Sequence, residues 1–452
     1  MAVDTTASAA TADKATARLS GDFWKFWTGQ TVSNLGSTVT IFVLPLLIYR
    51  LTGSALNLGI ATSLNFLPYL LFGLAIGAWV DRVDRRRLMI AVDCGRALLI
   101  ASIPVLNALG SLPLWWIYAA GFLSTTLTIG FTSAEFAAIP SLVAGGDLVT
   151  ANGRIQASYS AASVLGPLLA GPLLAIANPA TVLLIDAATF VVSACTLLSI
   201  RRSFNVGTDQ KERHSLAELR RDIVEGLRYV LGHPVLRAIS AMMALLNLLS
   251  ATLGAQLVFF AKVRLGASDA QVSLLYSAGS IGVVVLALAA GPLRKRWSFS
   301  RVALGALMLN GILIVVLAFL RDYRLVVPLW ALISGCGILF NINTGSLRQA
   351  IVPNELLGRV MSVAQVLAWS AIPVGTFAGG LLIERTGNIA AVYAGIGIAS
   401  AAIAFAFTFT ALGHAETVSA GAGGRMRQCS CHAWAWITDS SLALRMTGGG
   451  GQ

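Results

Sequence analysis

The sequence predicts an all-α integral membrane protein with twelve transmembrane helices in two six-helix halves. Hydrophobic residues make up 56% of the 452 residues and charged residues only 12%, so the polar side chains are too few to cover a water-soluble protein. Twelve long apolar stretches alternate with polar loops, and about 20 apolar residues suffice to cross a bilayer. Most of the 32 Lys and Arg lie in every second loop, as expected for a chain that crosses a membrane repeatedly.

The transmembrane helices follow from the apolar stretches in chain order. Several are joined by short turns with Gly, Pro or Asn, such as residues 110–113 and 386–388, so neighbouring helices are expected to be antiparallel. The predicted helices cover residues 23–49, 56–80, 88–109, 113–139, 154–177, 180–200, 236–261, 273–293, 301–320, 325–347, 360–383 and 389–412.

A charged linker between the sixth and seventh helices divides the chain into six plus six. Apolar residues in it recur on one helical face after a capping-box pair, which predicts an amphipathic helix. That face is expected to lie against the cytoplasmic helix ends or at the lipid headgroups. The pair is Ser215 and Glu218, and the face carries Leu216, Leu219, Ile223 and Leu227. The predicted divisions are a disordered cytoplasmic N-terminus (1–21), the N-terminal half (22–200), the linker (201–235), the C-terminal half (236–412) and an atypical cytoplasmic tail (413–452).

The positions of the basic residues predict the orientation of the chain. Because Lys and Arg are enriched in cytoplasmic loops, both termini are expected in the cytoplasm, in agreement with an even number of helices. The net charge of +12 therefore reflects membrane topology and does not indicate a nucleic-acid partner. The exceptions are Arg50, Lys262, Arg264, Arg321, Arg324 and Arg385 in the opposite loops and Arg96 inside a helix.

The five Cys predict neither a disulfide framework nor a metal site. Those inside apolar stretches are interpreted as small core residues, and the cluster in the tail lacks a complete set of metal-ligand spacings. The tail has neither helical periodicity nor a linker composition, which suggests a shifted reading frame or a dispensable segment. The residues are Cys94, Cys195 and Cys336 in the helices and Cys429, Cys431 and His432 in the tail.

The loop after the second predicted helix carries the strongest local motif. Residues 77–87 read GAWVDRVDRRR, which resembles the signature of the major facilitator superfamily in the same loop. A Gly permits close helix approach, Asp81 can face the positive N-terminus of a helix, and the arginines can bind carboxylates or anionic headgroups. The resemblance implies a cytoplasmic latch, and the alternative is a positively charged anchor without a switching role. The latch residues are Gly77, Asp81, Arg82, Arg85 and Arg86.

Residues 166–172 read GPLLAGP and resemble the motif of exporters in the fifth helix of this superfamily. The superfamily usually has Gly where this chain has Pro172. Prolines kink a membrane helix and glycines admit a neighbour, so ordinary small-residue packing is the alternative. The residues that the resemblance implies for antiport are Gly166, Pro167, Gly171 and Pro172.

Two further segments narrow the resemblance to a branch. They resemble the corresponding segments of the drug and siderophore exporters, which include the enterobactin and macrolide exporters. The first segment reads EGLRYV at 225–230 and is followed by HP and LRA. The second contains VPNE and GRVMS within 352–362.

The two halves also carry a trace of internal repetition. AIP at 138–140 leads to AGPLL at 170–174, and IVP at 351–353 leads to AGGLL at 378–382. Duplicated halves are the usual construction of secondary transporters.

Charged residues inside the predicted helices are candidates for function because their insertion into a membrane is costly. Asp93 and Arg96 are three residues apart and can pair on one helical face, as a gate ion pair or as a structural one. Glu135 and Asp186 are candidates for carrying a proton, although a bond between helices would also satisfy Asp186.

Uncharged polar residues inside the helices are candidates for a substrate cavity near the middle of the membrane. Taken singly, each of them is a better candidate for a hydrogen bond between helices than for a contact with the solute, whereas together they suit a weakly polar cavity for a bulky amphipathic solute. They are Gln30, Asn34, Asn65, Asn247, Gln256, Asn341, Asn343 and Gln365, with Trp369 as an aromatic wall.

Together these features predict a transporter and not an enzyme. The four His lie outside the predicted helices and form no catalytic set with a nucleophile, which argues against an enzyme. The sequence has no nucleotide-binding glycine loop, which argues against transport driven by ATP. The resemblance implies proton-coupled efflux of a bulky amphipathic drug, macrolide or siderophore from a bacterial inner membrane. The expected partners are the solute, protons and membrane lipids; the chain is expected to be a monomer without a cofactor, driven by the proton gradient. The alternatives are a solute:proton symporter that imports its substrate and a non-transporting membrane sensor.

Overall fold

The structure is a computed structural model that describes residues 19–80, 82–143, 147–204 and 216–413. At positions 74, 78, 216–220, 222, 354 and 355 it describes the backbone alone. Several sequence expectations lie outside the described residues: the chain before residue 19, Asp81 of the latch motif, Ser215 of the capping box, and the tail with Cys429, Cys431 and His432.

The regular elements of the described residues are helices throughout. Twelve helical segments among them are long and apolar enough to cross a membrane, which confirms the predicted fold class. In chain order the helices are α1 (Gly21–Thr52), α2 (Ala55–Val80), α3 (Arg85–Ala108), α4 (Leu114–Leu142), α5 (Leu148–Ile176), α6 (Pro179–Ser199), α7 (Leu216–Gly232), α8 (Pro234–Ala255), α9 (Leu257–Phe259) with the π-helical turn Phe260–Arg264, α10 (Asp269–Arg296), α11 (Phe299–Phe319), α12 (Tyr323–Ile351), α13 (Asn354–Trp369), α14 (Ala371–Thr386) and α15 (Ile389–Thr408).

The chain divides into two compact units, and the division falls inside two helices. The first turns of α2 belong to unit 2, and the first turns of α10 belong to unit 1, so each of these helices begins in one unit and continues in the other. Unit 1 comprises the described residues within Met1–Gly53, Leu64–Arg213 and Ala267–Ser277, and unit 2 comprises those within Ser54–Ser63, His214–Gly266 and Ala278–Gln452.

In unit 1, α1 packs against α5 and α6, and α3 packs against α4 and α6. The core contains fully buried aromatic residues such as Phe23 and Phe26. Large apolar side chains cover the outside as well: Phe136 is 78% exposed and Leu98 74%. A helix that is apolar on both faces belongs in lipid, where the outer face meets acyl chains and the inner face meets protein.

In unit 2, close contact between α8 and α14 depends on small residues. A Cβ placed on Gly375 would lie 2.0 Å from the backbone oxygen of Leu248, so the two helix backbones touch at this point. The hydroxyl of Thr252 donates to the carbonyl oxygen of Gly375 at 2.9 Å and adds an interhelical hydrogen bond. Small residues and hydroxyl groups are the usual means by which membrane helices associate.

The segment predicted as one helix over 360–383 is interrupted between Trp369 and Ala371. Pro373 has no amide hydrogen to donate to the carbonyl of the residue four positions earlier, which is Trp369. The helix therefore ends as α13 and starts again as α14.

The start of α2 is held by an acidic residue of α14 within unit 2. Oε2 of Glu384 accepts hydrogen bonds from the hydroxyl of Ser54 at 3.1 Å and from the amide nitrogens of Ala55 at 3.0 Å and Leu56 at 3.4 Å. The first amides of a helix have no partner inside the helix, so Glu384 acts as their acceptor.

The linker helix α7 is present and packs its apolar face on α13. Ile223, Leu227 and Val230 lie against a cluster that includes Val360. An ion pair at 2.6 Å between Glu225 of α7 and an arginine of α13, Arg359, lies at the edge of this contact.

Candidate functional site

Two of the latch arginines, Arg85 and Arg86, donate from their side chains to backbone carbonyls within unit 1. Nη1 of Arg85 lies 3.2 Å from the carbonyl oxygen of Ala137 in α4. Arg86 lies 2.9 Å from the carbonyl oxygen of Leu197 and 2.6 Å from the next carbonyl, both in the last turns of α6. Carbonyls at a helix C-terminus carry partial negative charge and attract cations, so these arginines tie the start of α3 to its neighbours. No described atom lies within 4 Å of a Cβ placed on Gly77, and Arg82 is exposed.

The structure brings Asp93 and Arg96 together as a buried ion pair on α3. Oδ1 of Asp93 is 2.5 Å from Nη2 of Arg96, and Asp93 is fully buried. The guanidinium also lies over the rings of Phe131, at 4.6 Å from the ring centroid, and Phe190, at 4.4 Å. Nη1 of Arg96 also donates to the hydroxyl of Thr128 at 3.4 Å. Aromatic faces attract cations, so the arginine is stabilised by four neighbours, whereas the aspartate depends chiefly on the arginine.

Glu135 lies on α4, and one of its two carboxyl oxygens has no hydrogen-bond partner among the described residues. It is only 4% exposed, and its Oε2 accepts a hydrogen bond from the hydroxyl of Tyr159 at 2.9 Å. Its Oε1 has no hydrogen-bond partner among the described residues. Arg96 and Asp93 lie within electrostatic reach. A buried carboxyl group with one vacant oxygen has room to take up and release a proton.

Asp186 on α6 is satisfied by hydroxyl groups, and its surroundings differ from those of Glu135. Its carboxylate accepts from Thr40 at 2.5 Å, from Thr189 at 3.3 Å and from Ser37 at 3.5 Å. Two of these hydroxyls belong to α1, so the aspartate joins α1 to α6. This geometry favours a structural bond between helices, one of the two interpretations of the sequence.

The GPLLAGP segment lies in α5 and lets hydroxyl-bearing neighbours approach closely. A Cβ on Gly166 would lie 2.0 Å from the hydroxyl oxygen of Thr38 in α1, and a Cβ on Gly171 would lie 2.4 Å from that of Ser273 in α10. The Thr38 hydroxyl donates to the carbonyl of Ala162 at 2.9 Å, in the turns before Pro167. Hydroxyl groups of neighbouring helices commonly bond to backbone groups near a proline kink.

The polar candidates of unit 1 lie in different places. Gln30 is buried and donates to the hydroxyl of Ser193 at 3.0 Å, which joins α1 to α6. Asn34 is half-buried beside Tyr159, the partner of Glu135. Asn65 lies on α2 with its side-chain oxygen against the small face of Gly121 in α4.

Unit 2 contains a cavity of about 220 Å³ between α8, α11 and α12. Asn247 and Asn341, both predicted for a substrate cavity, line it. The other lining side chains are aromatic, aliphatic, thioether, hydroxyl or amide groups, and none is charged. The lining consists of Met243, Leu246, Asn247, Ser250, Leu253, Gly254, Leu307, Asn310, Trp330, Ile333, Ser334, Gly337, Phe340 and Asn341.

The remaining candidates of unit 2 are not part of this lining. Gln256 is fully buried and donates to the carbonyl of Ala55 at 2.8 Å, and Asn343 donates to Leu339 of its own helix at 2.7 Å. Gln365 and Trp369 are on the exposed side of α13. Asn247 donates to the carbonyl of Ala368 at 2.9 Å, directly before the helix break at Trp369.

Sequence reasoning missed two residues of the cavity, Asn310 and Trp330. Asn310 is the single amide side chain of α11 and donates to the carbonyl of Ile333 at 2.7 Å. Trp330 shares one face of α12 with Ser334, four residues later, and with Asn341, seven residues after Ser334. This spacing is the feature of the sequence that could have predicted Trp330 as a lining residue.

The described residues form twelve helices long and apolar enough to cross a membrane, with buried charged groups and, in unit 2, an uncharged polar cavity, and these are the features of a membrane transporter. The sequence matches the model of the transmembrane secretion effector family over residues 15–428, and the chain belongs to this family. The resemblance to major facilitator drug exporters is thereby confirmed, and the protein is a multi-pass inner-membrane transporter and not an enzyme.

Curated relatives of the chain are efflux proteins. It is 28% identical over 373 residues to the multidrug efflux pump Tap of Mycolicibacterium fortuitum, a match that covers 79% of this chain and 88% of that one. It is 25% identical over 382 residues to macrolide efflux protein A of Streptococcus pyogenes, with coverage of 81% and 90%. Among solved structures, the nucleoside transporter NupG has the same fold, with a TM-score of 0.71 at 14% identity, over 86% of this chain and 98% of NupG.

Proposed function

We propose that this protein exports a bulky amphipathic small molecule, such as a drug, macrolide or siderophore, in exchange for protons by alternating access. The direction of transport is supported by the GPLLAGP segment and by relatives that are named efflux proteins. We expect the proton gradient to supply the energy without a cofactor, both termini to be cytoplasmic, and the chain to work as a monomer in the lipid bilayer.

The observation that carries proton coupling is the geometry of Glu135. Burial makes the charged carboxylate costly, and a vacant oxygen beside the Tyr159 hydroxyl gives a proton a place to bind. Asp186 is equally buried, but three hydroxyl groups already occupy its oxygens. We therefore assign the coupling role to Glu135 and a structural role to Asp186.

The test uses inside-out membrane vesicles that are energised to an acid interior. Antibiotics, dyes and siderophores are added while a pH-sensitive dye reports the internal pH. An exporter that exchanges solute for protons releases protons from the vesicles when its substrate is added. We expect the response in the wild type and in Asp186→Asn if the latter inserts correctly, and no response in Glu135→Gln.

Three results would contradict the proposal. A wild-type response in Glu135→Gln would remove this residue from coupling. Solute movement out of the vesicle interior in the wild type would favour an importer, and solute binding without any flux would favour a sensor.

A further inference from the structure

Arg348 of α12 is a buried cation whose described contacts include no carboxylate and no carbonyl oxygen. It is 5% exposed, its Nη2 donates to the sulfur of Met243 at 3.1 Å, and its Nε has no acceptor among the described residues. A thioether sulfur is a weak acceptor. Arg85 and Arg96, which are buried to the same extent, have carbonyl oxygens and a carboxylate as partners.

Arg348 lies below the cavity of unit 2. It shares one face of α12 with the lining residues Ser334 and Asn341 at intervals of seven residues, about 10 Å along the helix axis below Asn341. Met243, which accepts the hydrogen bond from Arg348, also lines the cavity. Met243 is therefore in contact with both the guanidinium and the cavity, and a methionine side chain is flexible enough to move aside.

The chemistry of the cavity lining and that of the guanidinium together favour one kind of ligand, a neutral body that carries one acidic group. The uncharged lining suits a neutral body with hydrogen-bonding groups and an apolar ring against Trp330 and Phe340. The guanidinium suits a single acidic oxygen group, because a planar fork of N–H donors binds carboxylates in a bidentate manner.

The internal repeat supports a functional role for this position. AIP at 138–140 corresponds to IVP at 351–353, so Glu135 and Arg348 each lie three residues before the equivalent segment. Each half of the sequence therefore has one buried charged residue at the same place in the repeat. An ionised side chain is costly inside a membrane protein, and such residues mark binding or transport sites.

We propose that Arg348 is the acidic-group subsite of the unit 2 cavity, which binds the carboxylate or phenolate of an amphipathic solute after Met243 moves aside. This inference deepens the proposed export function, on which its relevance to transport rests. Binding itself can be measured without transport.

The test compares two probes that differ in one charge, 7-methoxycoumarin-3-carboxylate and 7-methoxycoumarin-3-carboxamide. Their binding to the full chain in nanodiscs of neutral lipid is measured by fluorescence titration. We expect the wild type to prefer the carboxylate by about ten- to a hundredfold, the range of a hydrogen bond to a charged group. Arg348→Gln should lose this preference and keep its affinity for the carboxamide, and Arg348→Lys should keep part of it.

A stability measurement separates this role from a structural one. Since removing an unpaired buried charge relieves a cost, Arg348→Gln should unfold at the same temperature as the wild type or a higher one. The matched control is Arg359→Gln, which removes an exposed arginine and should leave the carboxylate preference unchanged.

Four outcomes would overturn the inference. The first three are equal affinities of the wild type for both probes, an unchanged preference in Arg348→Gln, and a large loss of thermal stability in Arg348→Gln with carboxylate binding intact. Loss of the preference in nanodiscs with anionic lipid would likewise overturn it, because a lipid headgroup would then occupy the subsite. If the preference holds but wild-type vesicles show no solute-driven proton release, the proposed function fails and the subsite stands.

Discussion

The buried pair of Asp93 and Arg96 predicts that its two single substitutions have unequal costs. Arg96→Gln leaves a fully buried carboxylate without its cation, and breaking a buried pair costs about 3–5 kcal/mol. Asp93→Asn leaves the guanidinium over Phe131 and Phe190, each worth about 0.5–2 kcal/mol, and retains an amide oxygen as acceptor. We therefore expect Asp93→Asn to cost about 1–2 kcal/mol.

The assay is the free energy of unfolding in mixed micelles, followed by circular dichroism during a titration with dodecyl sulfate. The expected difference between the two variants is about 2 kcal/mol, or roughly a thirtyfold change in the unfolding equilibrium constant. The double variant Asp93→Asn/Arg96→Gln should be more stable than Arg96→Gln alone, because no uncompensated charge remains. Equal costs, or a larger cost for Asp93→Asn, would refute the reasoning that the aromatic rings stabilise the arginine independently.

Two further predictions use the same unfolding titration. Gly375→Ala should cost about 1–3 kcal/mol because the new Cβ would meet the backbone oxygen of Leu248, whereas Gly395→Ala on an open face of α15 should stabilise by about 0.5–1 kcal/mol. Equal effects of the two substitutions would mean that α8 and α14 do not touch here. Glu384→Ala should cost about 1 kcal/mol through loss of the acceptor at the start of α2, and Glu384→Gln should cost less because an amide oxygen still accepts. A larger loss in Glu384→Gln would contradict the capping role.

The transmembrane helices were predictable because a membrane imposes a strong constraint on composition. Any segment that crosses lipid must satisfy its backbone internally and be apolar over about 20 residues, and both conditions are visible in the sequence. The linker helix α7 was predictable because it is amphipathic, with Ile223 and Leu227 on the face that meets α13. The break at Trp369 was not predicted, although Pro373 was the available signal.

The candidate site was harder to predict because it depends on how each helix is rotated. In a lipid-embedded bundle both faces of a helix are apolar, so periodicity does not show which polar residue faces a cavity. Asn247 and Asn341 line the cavity of unit 2, whereas Asn343, two residues further along α12, bonds to its own backbone. The hydrogen bonding of Glu135 could not be predicted from the sequence either. Tyr159 of α5 donates to one carboxyl oxygen and the other has no partner among the described residues, which depends on how α4 and α5 are rotated.

The measurement that tests the central claim most directly is proton release from the purified protein when a solute binds. The protein is placed in weakly buffered detergent solution with a pH-sensitive dye, and a solute identified in the vesicle assay is added in small steps. We predict about one proton released for each solute bound by the wild type and by correctly folded Asp186→Asn, and none from Glu135→Gln at the same solute occupancy. Equal proton release from Glu135→Gln would contradict the account, because another group would then exchange the proton.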